Sequence, residues 1–148
     1  MRKVILLILI ASVTTLVSAQ NTEVNPHGAW NLVKILNDQD GNEVIAFPST
    51  TFKMSQHKVW TKDKWMFASN YVGETGTYND YGGGSYTLEG NQYTEYIDFS
   101  TYEQYVGKTV KMKMKFVNDT LVQSYHPVDS LGNAMENVMI IEKYVRWE

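Results

Sequence analysis

The chain contains no cysteine in its 148 residues. Small extracellular domains often depend on disulfides, so this one has to be held together by packing alone. A cationic excess is missing too: 13 lysines and arginines stand against 16 aspartates and glutamates, a formal net charge of −3. That balance argues against binding nucleic acid or an anionic membrane, both of which want a basic patch. No G-x-S-x-G elbow exposes a nucleophilic serine. His27, His57 and His126, the only imidazoles, fall in no HExxH or CxxC pattern. Neither a metal nor another cofactor is therefore expected. Beyond the N-terminus nothing carries the period of a helix of ordinary length.

The N-terminus has its own pattern. Arg2 and Lys3 precede the apolar run Val4 to Ala11, which gives way to Ser12, Thr14 and Thr15 and then to Val17-Ser18-Ala19. This is the charged region, apolar core and small-residue cleavage site of an export signal. The core is short for a membrane-spanning helix, which needs about 20 apolar residues. Cleavage after Ala19 would leave Gln20 first, with no following cysteine for lipid attachment. A secreted or periplasmic protein without a membrane anchor is expected. Removal of 19 residues leaves 129, carrying 11 basic against 16 acidic side chains. That length suits one domain. Residues 1–19 are read as the signal, 20–27 as a polar leader and 28–148 as the domain.

Turn residues punctuate the domain as in a β meander. The strand candidates are 28–37, 43–54, 57–62, 64–71, 84–89, 92–99, 108–117, 119–126 and 136–147. Asp40-Gly41-Asn42 and Glu89-Gly90-Asn91 have hairpin composition, since glycine tolerates positive φ. Val110, Met112, Met114 and Phe116 alternate with Lys111, Lys113 and Lys115, which separates an interior face from water. Tyr93, Glu95, Ile97 and Phe99 share one side of a second alternating run, so an acid falls on an apolar face. Val138 to Trp147 is apolar on both sides, as expected of a strand that closes a barrel. The fold class predicted is all-β: one antiparallel up-and-down barrel of about 8–10 strands, since closure removes exposed edges. A β-sandwich is the alternative. The stretch 70–84, rich in glycine, asparagine and tyrosine, reads as a flap over the barrel mouth, and 100–107 as a helical turn or an irregular crossover.

Gly28-Ala29-Trp30 opens the first candidate strand, and Arg146 ends the last. This resembles the lipocalin and fatty-acid-binding superfamily, in which a Gly-x-Trp closes one end of the barrel beneath a late arginine. The resemblance implies structural roles for Trp30 and Arg146. Gly28 to Val33, Gly82 to Glu95, Val106-Gly107-Lys108-Thr109 and Glu142 to Arg146 are similar, more closely, to the lipocalin-like (calycin-type) domains of small uncharacterised secreted bacterial proteins. That similarity runs over nearly the whole domain. Its final stretch departs from the pattern, which more often has tryptophan where Tyr144 stands. It implies a barrel that binds a small molecule, with no particular ligand or reaction.

Glu95 and Glu142 each fall on a face otherwise apolar or aromatic. Burying a carboxylate costs several kcal/mol unless it is paired, and the partners at hand are Tyr86, Tyr93, Tyr125, Tyr144 and Arg146. Trp60, Trp65, Phe67, Tyr86 and Tyr93, with Met112 and Met114, either line a cavity or fill the barrel solidly. The ligand-contacting set expected is thus Trp60, Phe67, Tyr86, Tyr93, Glu95, Met112, Met114, Tyr125, Glu142 and Tyr144. Three functions stay open. The first is a barrel binding a small hydrophobic or amphipathic molecule, with the Gly-rich 73–84 loop at its entrance. The second is a filled barrel acting as a protein- or glycan-interaction module. The third is an enzyme using Glu95 or Glu142 with a tyrosine as acid and base. No definite catalytic constellation supports the third, so the weight is against an enzyme. An interior pocket of about 300 Å³ or more would separate the first from the second.

Overall fold

A computed structural model describes residues 24–129 and 133–148. The expected export signal, its expected cleavage site and residues 20–23 of the expected leader lie outside the described residues. Nine strands follow one another: β1 Gly28–Gln39, β2 Asn42–Phe47, β3 Lys53–Trp60, β4 Lys64–Gly73, β5 Gly76–Glu89, β6 Gln92–Ser100, β7 Thr109–Val117, β8 Thr120–Tyr125 and β9 Val138–Arg146. Every strand pairing is antiparallel, and β9 pairs back onto β1, from Trp30 opposite Arg146 to Gln39 opposite Val138. The meander is therefore a closed up-and-down barrel, as the alternating runs predict.

The barrel has eight staves rather than nine, because β2 and β3 share one. Both pair with the same edge of β1: β3 with Gly28–Asn31, β2 with Ile35–Gln39. The single strand expected over 43–54 is thus corrected to two segments. Pro48 divides them, as proline has no N–H to donate to a ladder. Strand β3 then starts at Lys53, earlier than expected.

The flap expected over 70–84 is also corrected. Strands β4 and β5 run straight through it as a long hairpin, in continuous register from Lys64 opposite Ser85 to Gly73 opposite Gly76. Asn70 Nδ2 donates to Asn79 Oδ1 at 2.9 Å, and the Tyr71 and Tyr78 rings lie 6.5 Å apart. Cross-strand pairs of this kind outweigh the turn-forming composition. The glycines are used for closeness. A Cβ on Gly83 would lie 2.8 Å from Trp65 O, and one on Gly84 would collide with Tyr96 O.

A bulge between Gly83 and Gly84 makes Asp98 the extra residue of β6. The faces of β6 reverse beyond it: Tyr93, Glu95 and Ile97 are buried, whereas Phe99 is 44% exposed. Phe99, expected inside with them, is corrected to the outside, since one inserted residue in a period-two strand reverses every later side chain. The segment 100–107 contains one 3₁₀ turn, Glu103–Tyr105.

On β7 the alternation holds through Met114, whereas Phe116, expected inside, is corrected to exposed at the strand's end, its ring 5.7 Å from that of Trp30. Met112 and Met114 are buried, and Lys111, Lys113 and Lys115 are exposed. The two ends of the barrel differ. The end where β1 begins and where β3, β5 and β7 turn into β4, β6 and β8 is packed solid by Trp30, Trp60, Tyr93, Met114, Leu121 and Tyr144, each at most 1% exposed. Val24 and Pro26, read as polar leader from sequence, are buried there too, Val24 within this core cluster.

Candidate functional site

The closed end is sealed from the sequence upward. Trp30 sits under Arg146, whose guanidinium carbon is 4.1 Å from the indole centroid. Trp30 Nε1 donates to Pro26 O at 2.7 Å, and Arg146 Nη1 donates to His27 O. Gly28 makes this possible. Its φ is +112°, and a Cβ there would run into the Arg146 guanidinium. Only glycine meets both demands without strain.

Above this plug a polar chain threads the interior. Trp60 Nε1 donates to Tyr93 OH at 2.8 Å, and Tyr93 OH donates to Glu95 Oε1 at 2.9 Å. Lys58 Nζ reaches Glu95 Oε1 at 2.7 Å and Gln123 Oε1 at 3.2 Å. The ammonium also lies 5.1 Å from the Trp60 ring centroid and 4.8 Å from that of Trp65. Lys58, Glu95 and Gln123 are all buried. Burial raises the Glu95 carboxyl above its ordinary value, with the Lys58 charge opposing the rise. Burial, reinforced by the neighbouring Glu95 charge, likewise lifts the Tyr93 hydroxyl far beyond the usual tyrosine range.

The second carboxylate is built differently. Glu142 Oε2 accepts from Tyr144 OH at 2.7 Å and Oε1 from Tyr125 OH at 3.1 Å. Gln56 Nε2 donates to Tyr144 OH at 3.0 Å. Burial first, and then the Glu142 charge, raise both of these tyrosines well above their ordinary value.

Between the polar chain and the open end lies a cavity of about 260 Å³. It falls just short of the size range set at about 300 Å³. Trp65, Phe67, Ile97, Val110 and Met112 supply its apolar wall, and Gln56, Lys58, Glu95, Glu142, Tyr125 and Tyr144 its polar one. Ser100, Tyr102, Tyr105, His126, Pro127 and Val128 ring the outer part, with Gly82 beside Phe67. The barrel is thus solid at one end and hollow at the other, and the hollow part is smaller than the size set to favour a ligand-binding barrel over an interaction module.

Of the ten residues expected to contact a ligand, Phe67, Glu95, Met112, Tyr125, Glu142 and Tyr144 line this cavity. Trp60, Tyr86, Tyr93 and Met114 do not. They pack the closed end, where Tyr93 and Met114 are fully buried and Tyr86 OH donates to Thr61 O at 2.8 Å. Among the expected carboxylate partners, Tyr93, Tyr125 and Tyr144 are in place. Tyr86 and Arg146 are not: the Tyr86 hydroxyl is given to Thr61 O, and Arg146 is held over Trp30.

Sequence reasoning missed Gln56, Lys58 and Gln123. Gln56, Lys58 and Trp60 alternate along β3, so extending the inward face backward from Trp60 would have found the first two. The break placed at 54–57 hid that period.

The histidines have other work. His57 Nδ1 lies 2.6 Å from Asn31 Oδ1, with its ring stacked 4.2 Å from that of Trp147. His126 Nδ1 lies 2.8 Å from Val138 O. Among the described residues no group of three histidine, aspartate or glutamate side chains is placed to hold a metal ion.

Residues 25–148 match the family described as a domain of unknown function, DUF4488, and the chain belongs to that family. No curated protein matches the chain.

Proposed function

We propose, from this half-hollow barrel, that the protein is an exported, lipocalin-like carrier of a small amphipathic molecule. The observation that carries the reading is the cavity itself. One wall is aromatic and aliphatic, the other holds two carboxylates, an ammonium, two tyrosine hydroxyls and an amide. Binding sites generally combine an apolar lining with a few convergent polar groups that orient the ligand. A volume of about 260 Å³ suits a compact guest rather than a long acyl chain.

The polar groups also favour binding over mere self-satisfaction. Glu142 uses its two oxygens on two tyrosines, while a carboxylate has about four lone-pair sites. Acceptor capacity therefore remains on a residue that lines the cavity. The export signal supports a location outside the cytoplasm, secreted or periplasmic.

Mass spectrometry of the protein purified from its native producer tests the proposal. The expected result is a non-covalently held small molecule, released on denaturation and absent after a cavity-filling Val110→Trp substitution. A protein that carries nothing, with no change on filling the cavity, would count against a carrier.

A further inference from the structure

Resting on the carrier reading, we infer that the guest is a small organic cation, an aromatic or alkyl amine whose ammonium group pairs with Glu142. The inference comes from counting charge around the cavity. Two carboxylates face it, Glu95 and Glu142, and one buried ammonium, Lys58. Lys58 is committed to Glu95 at 2.7 Å, with both side chains at most 5% exposed. That pair closes the floor as a neutral unit. Among the described residues no lysine, arginine or histidine forms an ion pair with Glu142. His126, at the rim, faces Glu136 at 3.9 Å instead.

Glu142 is left with neutral donors only. The Tyr125 and Tyr144 hydroxyls point their protons at it, an arrangement that suits an ionised acceptor. Its strand neighbours, Ile35 on β1 and Gln123 on β8, bring no charge. A carboxylate that keeps spare lone pairs beside an apolar wall offers a cation a charge-assisted hydrogen bond. An anionic guest would instead meet repulsion from Glu142. The rest of the wall agrees, since the rings of Trp65, Phe67, Tyr105 and Tyr125 surround the space, and aromatic faces attract cations.

The test is a tryptophan-fluorescence titration of the purified protein, in which Trp65 of the four tryptophans lies in the cavity wall, with a Trp65→Phe control and three probes of one shape and different charge. Phenethylamine is cationic, phenethyl alcohol neutral and hydrocinnamate anionic. The amine is expected to bind at least about tenfold more tightly than the alcohol, and the acid more weakly than either. Glu142→Gln should bring the amine to the affinity of the alcohol and leave the alcohol unchanged. Tyr125→Phe, which keeps the carboxylate, should retain the preference.

Equal binding of amine and alcohol would overturn the cation inference while leaving the carrier reading standing. A preference that survives Glu142→Gln would overturn the assignment to that residue. Failure of all three probes would overturn the inference too, and the native-adduct experiment then judges the carrier separately. The comparison of probes on the unsubstituted chain holds even if the variants fold poorly.

Discussion

The Lys58 ammonium and the Glu95 carboxylate lie 2.7 Å apart inside the barrel, 4% and 3% exposed. Desolvating two charges costs several kcal/mol per ion, which their attraction repays only with good geometry and further hydrogen bonds. Both conditions are met, by Tyr93 on one partner and Gln123 on the other. Breaking the pair is expected to be far worse than removing it. Lys58→Met or Glu95→Leu alone should cost about 3 to 5 kcal/mol, and the double substitution much less than the sum. A double-mutant cycle in urea checks this.

The raised Glu95 pKa has a pH signature. A carboxyl whose folded pKa lies above its unfolded value binds more protons when folded. Its contribution to stability is then fully present below the unfolded pKa and is lost as pH rises through the folded one. The difference in unfolding free energy between the wild type and Glu95→Gln should shift in favour of the wild type as pH falls from neutral toward about 4.3. Urea melts at stepped pH measure it.

Tyr93, Tyr125 and Tyr144 should resist ionisation, because burial and a neighbouring carboxylate both disfavour the phenolate. In an alkaline absorbance titration, at least these three of the ten tyrosines should ionise only as the barrel unfolds. Tyr93→Phe would strand the buried Trp60 N–H, which now donates to that hydroxyl. The expected cost is about 1 to 3 kcal/mol.

Gly28→Ala should disrupt the plug through two independent faults, a positive φ of 112° and a clash with the Arg146 guanidinium. A loss of about 1 to 3 kcal/mol is expected. Arg146→Ala should lose roughly 0.5 to 2 kcal/mol from the cation–π contact. If Gly28 matters through Arg146, the two losses will not add, and thermal melts of the two single variants and the double variant decide it.

The strands with clean alternation were legible from sequence. Lys111, Lys113 and Lys115 set the faces of β7 directly, and the doubly apolar Val138 to Trp147 run announced the closing strand. Legibility failed where long-range pairing overrode local composition. Gly76 to Gly83 reads as a loop because its glycines and asparagines favour turns, yet β4 holds it in register from end to end. Phe99 failed for a subtler reason, since the bulge that turns it outward depends on glycines in the partner strand. For the site, Glu95 and Glu142 stood out as acids on apolar faces. Lys58 did not, because its burial depends on Glu95, Gln123 and two indoles that come together only in the closed barrel.

The most direct test of the hollow half of the barrel is a methyl NMR titration on protein with isotope-labelled methionines. Met112 lines the cavity, and Met114, two residues along the same strand, is sealed in the closed end. On adding phenethylamine the Met112 methyl signal should move and saturate while that of Met114 moves far less. Shifts confined to exposed methionines such as Met66, or no shift at all, would contradict a guest inside the barrel.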